Sequence, residues 1–559
     1  MRIPSKLPAL MLLLALFWIG EAPPSVGQAE KEPAPRKLTK EQVDAAYAKV
    51  TNFGCTHAGY DRDGRDTKAF VRYGSTTAPG LPKDPFDYIR YLGSRSLRTS
   101  GEAQRNPVLS YAVRMPAKTG DFEIQWLGAA IHWLPYLRSV DLGGTHVGDA
   151  SAKAIAAIPE LEALFLDGTK IGDAGLKTLS VVSFVWLDLS STQITDKGMP
   201  ALAKQNRLRV LDLSNNAQVT DAGLKEIVQL PELRSLDLSG TGVDLSNNLD
   251  LSAWKNLVRL NLARCKLSDE GLRALATLMA LEELDLSGTT ISGSGLANLS
   301  QLPNLRSLSL TDATITDEGA QGVGSLTQLR ALQLNNSPAS STKKTVEKPR
   351  VQITDRGLEA IGGCKSLREL NLARTDIQGH GFKAFEKHPY LRDVDLEETP
   401  FVAGAFLSLR SVPNLRSINL ARTNLTGDGL QVLADLPYLT RLNLENSKAN
   451  DDGMIFVFRL SALRELILQG TNVGNEGLKH LRSNALIHLN LAQTKIGSDS
   501  IKTIMAIKSL RSLDVQGTDI AATAAARLKT TLPECTVVGT PPKSVPRVRD
   551  QSPRLPLEL

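Results

Sequence analysis

The sequence predicts an α/β solenoid, a curved right-handed superhelix of stacked strand–turn–helix units with a parallel β-sheet inside and helices outside. Two observations carry that expectation. One pattern, L-x-x-L-x-L-x-x-T-x-I-x-D-x-G-L-x-x-L-x-x-L-P-x, starts sixteen times between Leu137 and Leu510, at a spacing of 24 residues in most steps. Within each copy the apolar residues change from a period of two to the helical period.

The alternating half comes first in each unit. In LRSLDL (Leu233 to Leu238), Leu236 and Leu238 point to one side of a short strand while Ser235 and Asp237 point to the other. In ITDKGMPALAKQ (Ile194 to Gln205), Met199 and Leu202 share one helical stripe. Asp196 stands where its carboxylate can accept free backbone N–H groups at the start of that helix, and Asp173, Asp221, Asp269, Asp317 and Asp355 repeat the placement. No unit buries its apolar face alone, so neighbours must stack, with strands paired in parallel. At about 4.8 Å per strand, the inner sheet runs on the order of 70 Å along its arc.

These copies resemble the leucine-rich-repeat family, and the likeness covers Leu137 to Leu532. The ladder position usually held by Asn or Cys is mostly Thr here (Thr145, Thr169, Thr241 and others), with Asn216 and Cys265 as exceptions. The T-x-I-T-D-x-G-L variant is similar to that of secreted bacterial repeat proteins and of eukaryotic ubiquitin-ligase receptor subunits. The resemblance implies a non-enzymatic scaffold that binds a protein partner through the concave sheet. A ligase receptor needs an adaptor-binding helical segment upstream; LPKDPFDYIRYLG (Leu81 to Gly93) is faintly similar to one, but Pro85 interrupts the helix.

The chain start argues for another compartment. Arg2 and Lys6 precede an apolar run from Leu7 to Ile19, followed by Gly27-Gln28-Ala29, which reads as a secretory signal over residues 1–29. The run is too short to span a bilayer, so the expectation is a secreted, periplasmic or envelope protein without a transmembrane span after cleavage. Residues 30–116 form an N-terminal region, with a linker over 30–37, a helix over Leu38 to Val50, and no clear period beyond Thr51. Residues 117–136 are expected to cap the array, since LGAAIHWLPYL (Leu127 to Leu137) matches the helical half of a unit without its strand. The array proper covers 137–540. Its single 38-residue step marks an insertion at 338–351, which should project from one rim as a contact loop or a tolerated surface connection. ARLKTTLPECTVVG (Ala526 to Gly539) closes the other end, and 541–559 reads as a disordered tail.

A net charge of +6 over 559 residues, with acidic and basic residues alternating along the chain, argues against a nucleic-acid partner. The clearest basic run, Lys343, Lys344, Lys348 and Arg350, lies in the insertion. Cys55, Cys265, Cys364 and Cys535 are far apart and read as free thiols. The seven histidines show no ligand spacing, and no nucleophile elbow, phosphate loop or dinucleotide fingerprint occurs. DRDGRD (Asp61 to Asp66) lacks the Gly and Glu of a calcium loop, having Asp66 and Arg72 at those positions. No catalytic residue, metal or cofactor is therefore expected, and a monomer is.

Binding is more legible. Twelve of the sixteen middle strand positions that face outward are Asp or Asn, among them Asp141, Asp188, Asp212, Asp237 and Asp285. Like charges stacked about 5 Å apart repel, and a basic partner or cations would relieve them. Phe165 and Trp186 break the polar pattern on adjacent units and read as exposed contact anchors. Arg264, Arg374 and Arg422 recur at one rim position as bidentate donors for carboxylates. A protein partner fits this surface first and a carbohydrate second; the alternative is a structural envelope component without a specific ligand.

Overall fold

The computed structural model describes residues 137–539 except 247–248, 339–350, 387 and 482–484, together with 56–58, 111–114, 118, 120, 121 and 124. The expected signal segment, the expected helix over 38–50, DRDGRD, most of the expected cap, the body of the insertion and the expected tail fall outside the described residues.

The strands line up in one sheet in chain order. Each of the sixteen units contributes one, from Leu137–Asp141 to Ser512–Asp514, and every neighbouring pair is parallel. The register is direct, as where Ser235, Leu236 and Asp237 pair with Arg259, Leu260 and Asn261. Leu233, Leu236 and Leu238 are buried, so the inward set is the expected one. Among the described side chains, the equivalents in the other units make a continuous apolar core between the sheet and the outer layer.

The sheet is longer than the repeat count. At the C-terminal end, Thr536–Val538 adds a parallel strand beside Ser512–Asp514, with Leu532 and Val537 buried as in a degenerate further unit. At the other end Tyr111–Arg114 pairs in parallel with Leu137–Asp141, and Thr56–Ala58 pairs antiparallel with Tyr111–Arg114. The strand Tyr111–Arg114 lies in the N-terminal region ahead of the expected cap, and its run of four residues is too short to show a period in the sequence.

Every repeat strand except Ala331–Gln333, which precedes the insertion, is followed by a tight turn with one left-handed residue. Glycine supplies it at Gly144, Gly168, Gly240, Gly288, Gly470 and Gly517, but Arg264, Arg374, Glu398 and Arg422 adopt the same positive φ of 56 to 59°. Apart from Thr145, the ladder threonines then donate their hydroxyls to the carbonyl three residues back, as Thr241 Oγ1 does to Leu238 O at 2.6 Å. Asn216 does more, since its Nδ2 reaches both Leu189 O and Leu213 O and so ties two units together.

The outer layer is less regular than the spacing predicts. It is α-helical at Asp173–Leu179 and Asp355–Ile361 but 3-10 at Leu296–Gln301, His380–Phe385 and Ala403–Ser411. After Ser235–Asp237 no helix occurs among the described residues. There Asp244 and Asp250 accept the backbone N–H of Ser246 and Ser252, a local competition that removes the helical alternative.

The repeated aspartates do not act on their own helix. Asp173 sits inside its helix as the first residue and accepts from Thr195 N at 2.8 Å, one unit on. Asp196 accepts from Thr220 N at 2.7 Å and Gly223 N at 3.0 Å, at the start of the next helix, and Asp317 does the same with Thr354 and Gly357. Parallel stacking places the free N–H groups of each helix start against the preceding unit, so the carboxylate clamps neighbours together.

The insertion leaves the ladder intact. Ala331–Gln333 and Glu369–Asn371 pair in direct register across it. Its base is closed by Asn336, whose amide exchanges hydrogen bonds with the backbone of Val351 at 2.8 and 3.1 Å.

Candidate protein-binding face

The open face of the sheet carries the middle-position residues. Asp188, Asp212 and Asp237 occupy consecutive rungs in direct register, followed by Asn261 and Asp285. All twelve Asp and Asn residues of this column share one hydrogen bond: an oxygen of each accepts the backbone N–H two residues on. Asp141 takes that of Gly143, Asp188 of Ser190, Asp212 of Ser214, Asp237 of Ser239 and Asp285 of Ser287, at 2.8 to 2.9 Å. Asn261, Asn371, Asp395, Asn419, Asn443, Asn490 and Asp514 do the same. The column is thus first a structural device, an Asx turn that closes the end of each strand carrying Asp or Asn there. The signal was present in the sequence, since Asn substitutes freely for Asp where only an acceptor is needed.

The stacking of these carboxyls has an electrostatic consequence as well. Burial raises the Asp188 carboxyl above the usual range, and neighbouring Asp167 and Asp141 add to the effect. Asp212 is pushed up to about 7, by burial first and then by Asp188 and Asp237 on either side. Asp237 is partly relieved by Asn261, whose Nδ2 donates to its Oδ2 at 2.8 Å. Beside these carboxylates lies a shallow hollow of about 310 Å³ lined by Ser235, Asp237, Arg259, Glu283, Asp285 and Ser307 among others.

Phe165 and Trp186 do come together, with ring centroids 5.2 Å apart and planes tilted by 59°. The expectation that both are exposed needs correcting: Phe165 is only 9 % exposed and Trp186 is half-buried. Trp186, at the first position of the following strand, packs diagonally against Phe165, so the indole remains as the surface feature. Phe165, having no acceptor, is one of the four residues of the column that make no Asx turn.

The rim arginines are corrected in the same way. Arg374 is engaged by Glu397 and, through Nε at 3.0 Å, by Glu398, while Arg422 binds Glu397 at 2.8 Å and Glu445 at 3.3 Å. Arg264 makes one 3.4 Å contact with Asn215 Oδ1. Carboxylates on adjacent turns already occupy two of the three.

Among the described residues no group of three or more His, Cys, Asp or Glu is placed to hold a metal ion. Cys265 and Cys364 are buried thiols donating to Leu238 O and Val323 O, and burial pushes Cys364 up to about 12. His388, in the place of the usual Leu before Pro, is buried between Cys364 O at 2.9 Å and the Leu391 N–H at 3.3 Å.

A family model described as a leucine-rich repeat region matches residues 187–459, and a second, described as leucine rich repeat, matches 134–156. The chain is a leucine-rich-repeat protein. Proteins of this family are generally non-enzymatic binding scaffolds. Among solved structures, it is similar to an internalin of Listeria monocytogenes at 23% identity over 56% of this chain and 82% of that one, with a TM-score of 0.42. It is also similar to a leucine-rich-repeat protein of Leptospira interrogans at 20% identity over 72% of this chain and 90% of the other, with a TM-score of 0.47. A third is TLR13 in complex with ssRNA13, at 19% identity, 73% of this chain, 65% of that chain and a TM-score of 0.44. No curated protein matches. Among the described residues of this leucine-rich-repeat protein, no helix is long and apolar enough to cross a membrane.

Proposed function

We propose that this protein is a non-enzymatic scaffold outside the cytoplasm that binds a protein partner on the open face of its sheet. Trp186 anchors the contact, and Asp188, Asp212, Asp237 and Asp285 receive basic side chains of the partner. The observation that carries the reading is the crowding of the carboxylates: Asp212 lies between two others, half-desolvated, with its carboxyl raised to about 7. A partner ammonium or guanidinium entering beside it supplies a counter-charge to a carboxylate that has no ion pair among the described residues. The hollow next to Asp237 and Asp285 gives such a side chain room. Placement outside the cytoplasm rests on the charged start and the apolar run Leu7 to Ile19.

The test is affinity capture from an envelope extract with the chain from Glu30 onward, beside variants Trp186→Ser and Asp188→Asn/Asp212→Asn that keep the wild-type melting profile. Specific retention of a protein by the unmodified chain, lost in both variants, supports the reading. Retention unchanged in both would remove the open face as the contact.

A further inference from the structure

Along the chain the basic residues look evenly dispersed, but the fold gathers them. The residue after the first Leu of each unit is Arg in five consecutive units: Arg306, Arg330, Arg368, Arg392 and Arg416. Their backbones form one hydrogen-bonded run, each N–H donating to the carbonyl of the arginine before it at 2.7, 2.7, 2.9 and 2.7 Å. The five therefore stand on successive rungs, about 4.8 Å apart, along one edge of the sheet. Glu282 bounds the run on one side and Thr440 on the other, and their backbones continue it.

No described carboxylate lies within ion-pair distance of any of the five. Asp393, one residue along, is taken by Arg441 at 3.0 Å, which leaves Glu369 as the nearest acidic neighbour in sequence. Arg330 and Arg416 are exposed and the other three half-buried. Such a row of like charges repels itself unless something anionic covers it. Next to it, at one repeat position, stand two exposed aromatics two rungs apart, Tyr390 at 45 % and Tyr438 at 57 % exposure. The Arg368 guanidinium lies 5.9 Å from the centre of the Tyr390 ring.

We infer that this edge is a second binding surface, for an extended anionic polysaccharide lying along the strand ladder. A uronic-acid chain offers one carboxylate per ring and advances about one rung per ring, so successive guanidinium groups meet successive carboxylates without drifting out of register. The side chains on one face of an extended acidic peptide recur only every ~6.6 Å, and fall out of step over five rungs. The two tyrosines suit the apolar faces of alternate sugar rings, whereas a polynucleotide would call for an aromatic at each base.

The probe is fluorescent polygalacturonate, titrated with the chain from Glu30 onward at several salt concentrations. Binding that weakens with salt and falls at least tenfold in R330Q/R392Q/R416Q, with less than twofold change in K225Q/K255Q/K502Q, is the expected result. Y390A/Y438A should weaken binding about threefold or more without altering the salt slope. If R330Q/R392Q/R416Q does not melt cooperatively, R330Q/R416Q, in which both arginines are exposed, replaces it with an expected loss of about fivefold. Equal loss in the lysine control, no binding of polygalacturonate, or poly-L-glutamate or oligouridylate binding as tightly at matched charge would each overturn the inference. Trp186→Ser should leave polygalacturonate binding unchanged, which separates this surface from the open face.

Discussion

The Asp212 carboxylate accepts the Ser214 backbone N–H at 2.8 Å, closing the turn at the end of its strand. The same group has its pKa raised to about 7, so one side chain has two opposed consequences. As a turn acceptor it stabilises. As a buried charge between two others it destabilises, and only when ionised. Its folded pKa exceeds the unfolded value, so the folded state holds the proton more tightly, and the stability this gives is full below about pH 4 and lost as pH rises through about 7. Asp212→Asn keeps the acceptor without the charge. It should stabilise the protein at pH 8 by about 1–3 kcal/mol and flatten that part of the pH dependence. Asp212→Ala loses the turn and should be less stable than Asp212→Asn at every pH, by about 1 kcal/mol. Urea unfolding at pH 5 and pH 8 separates the two.

His388 gives the opposite slope. Burial lowers its pKa, and Nε2 and Nδ1 face Cys364 O and the Leu391 N–H, which the neutral ring satisfies as donor and acceptor. A histidine whose folded pKa is depressed contributes stability above the unfolded value near 6.5 that is lost as pH falls below it. His388→Leu, matching the usual residue there, should melt less pH-dependently between pH 5 and 7 than the wild type.

Leu236 is 1 % exposed in the middle of the core. Leu236→Asp buries an unpaired charge and should cost about 3–5 kcal/mol, lowering the thermal midpoint or splitting the transition. An unchanged melt would contradict the register of the strand.

Asp196 bonds to Thr220 N, Thr220 Oγ1 and Gly223 N of the next unit. Asp196→Ala should therefore cost about 1–3 kcal/mol, and hydrogen exchange should quicken at Thr220 and Gly223 more than at the residue's own helix. Faster exchange confined to Met199–Leu202 would restore the within-unit reading.

The contrast between what the residues announced and what they concealed is physical. Leu233, Leu236 and Leu238 were legible because burial selects residue type directly, and every copy repeats the selection. The direction of Asp196 was not, because a capping residue looks the same whichever helix it serves. The arginine edge was hidden because a 24-residue period scatters along the chain what stacking brings together. Outward alternation says nothing of the indole that packs over Phe165, nor of Glu397 and Glu398, which engage Arg374 from a full unit away.

The proposed binding of a protein on the open face of the sheet can be read by crosslinking. A photo-crosslinking residue at Ser235 or Ser307, both lining the hollow, compared with one at Lys502 on the outer layer, tests it most directly when the chain is irradiated in envelope extract. A discrete crosslinked protein from Ser235 and Ser307, reduced by Asp188→Asn/Asp212→Asn, and none from Lys502, is the expected result. Crosslinks from Lys502 alone would contradict it.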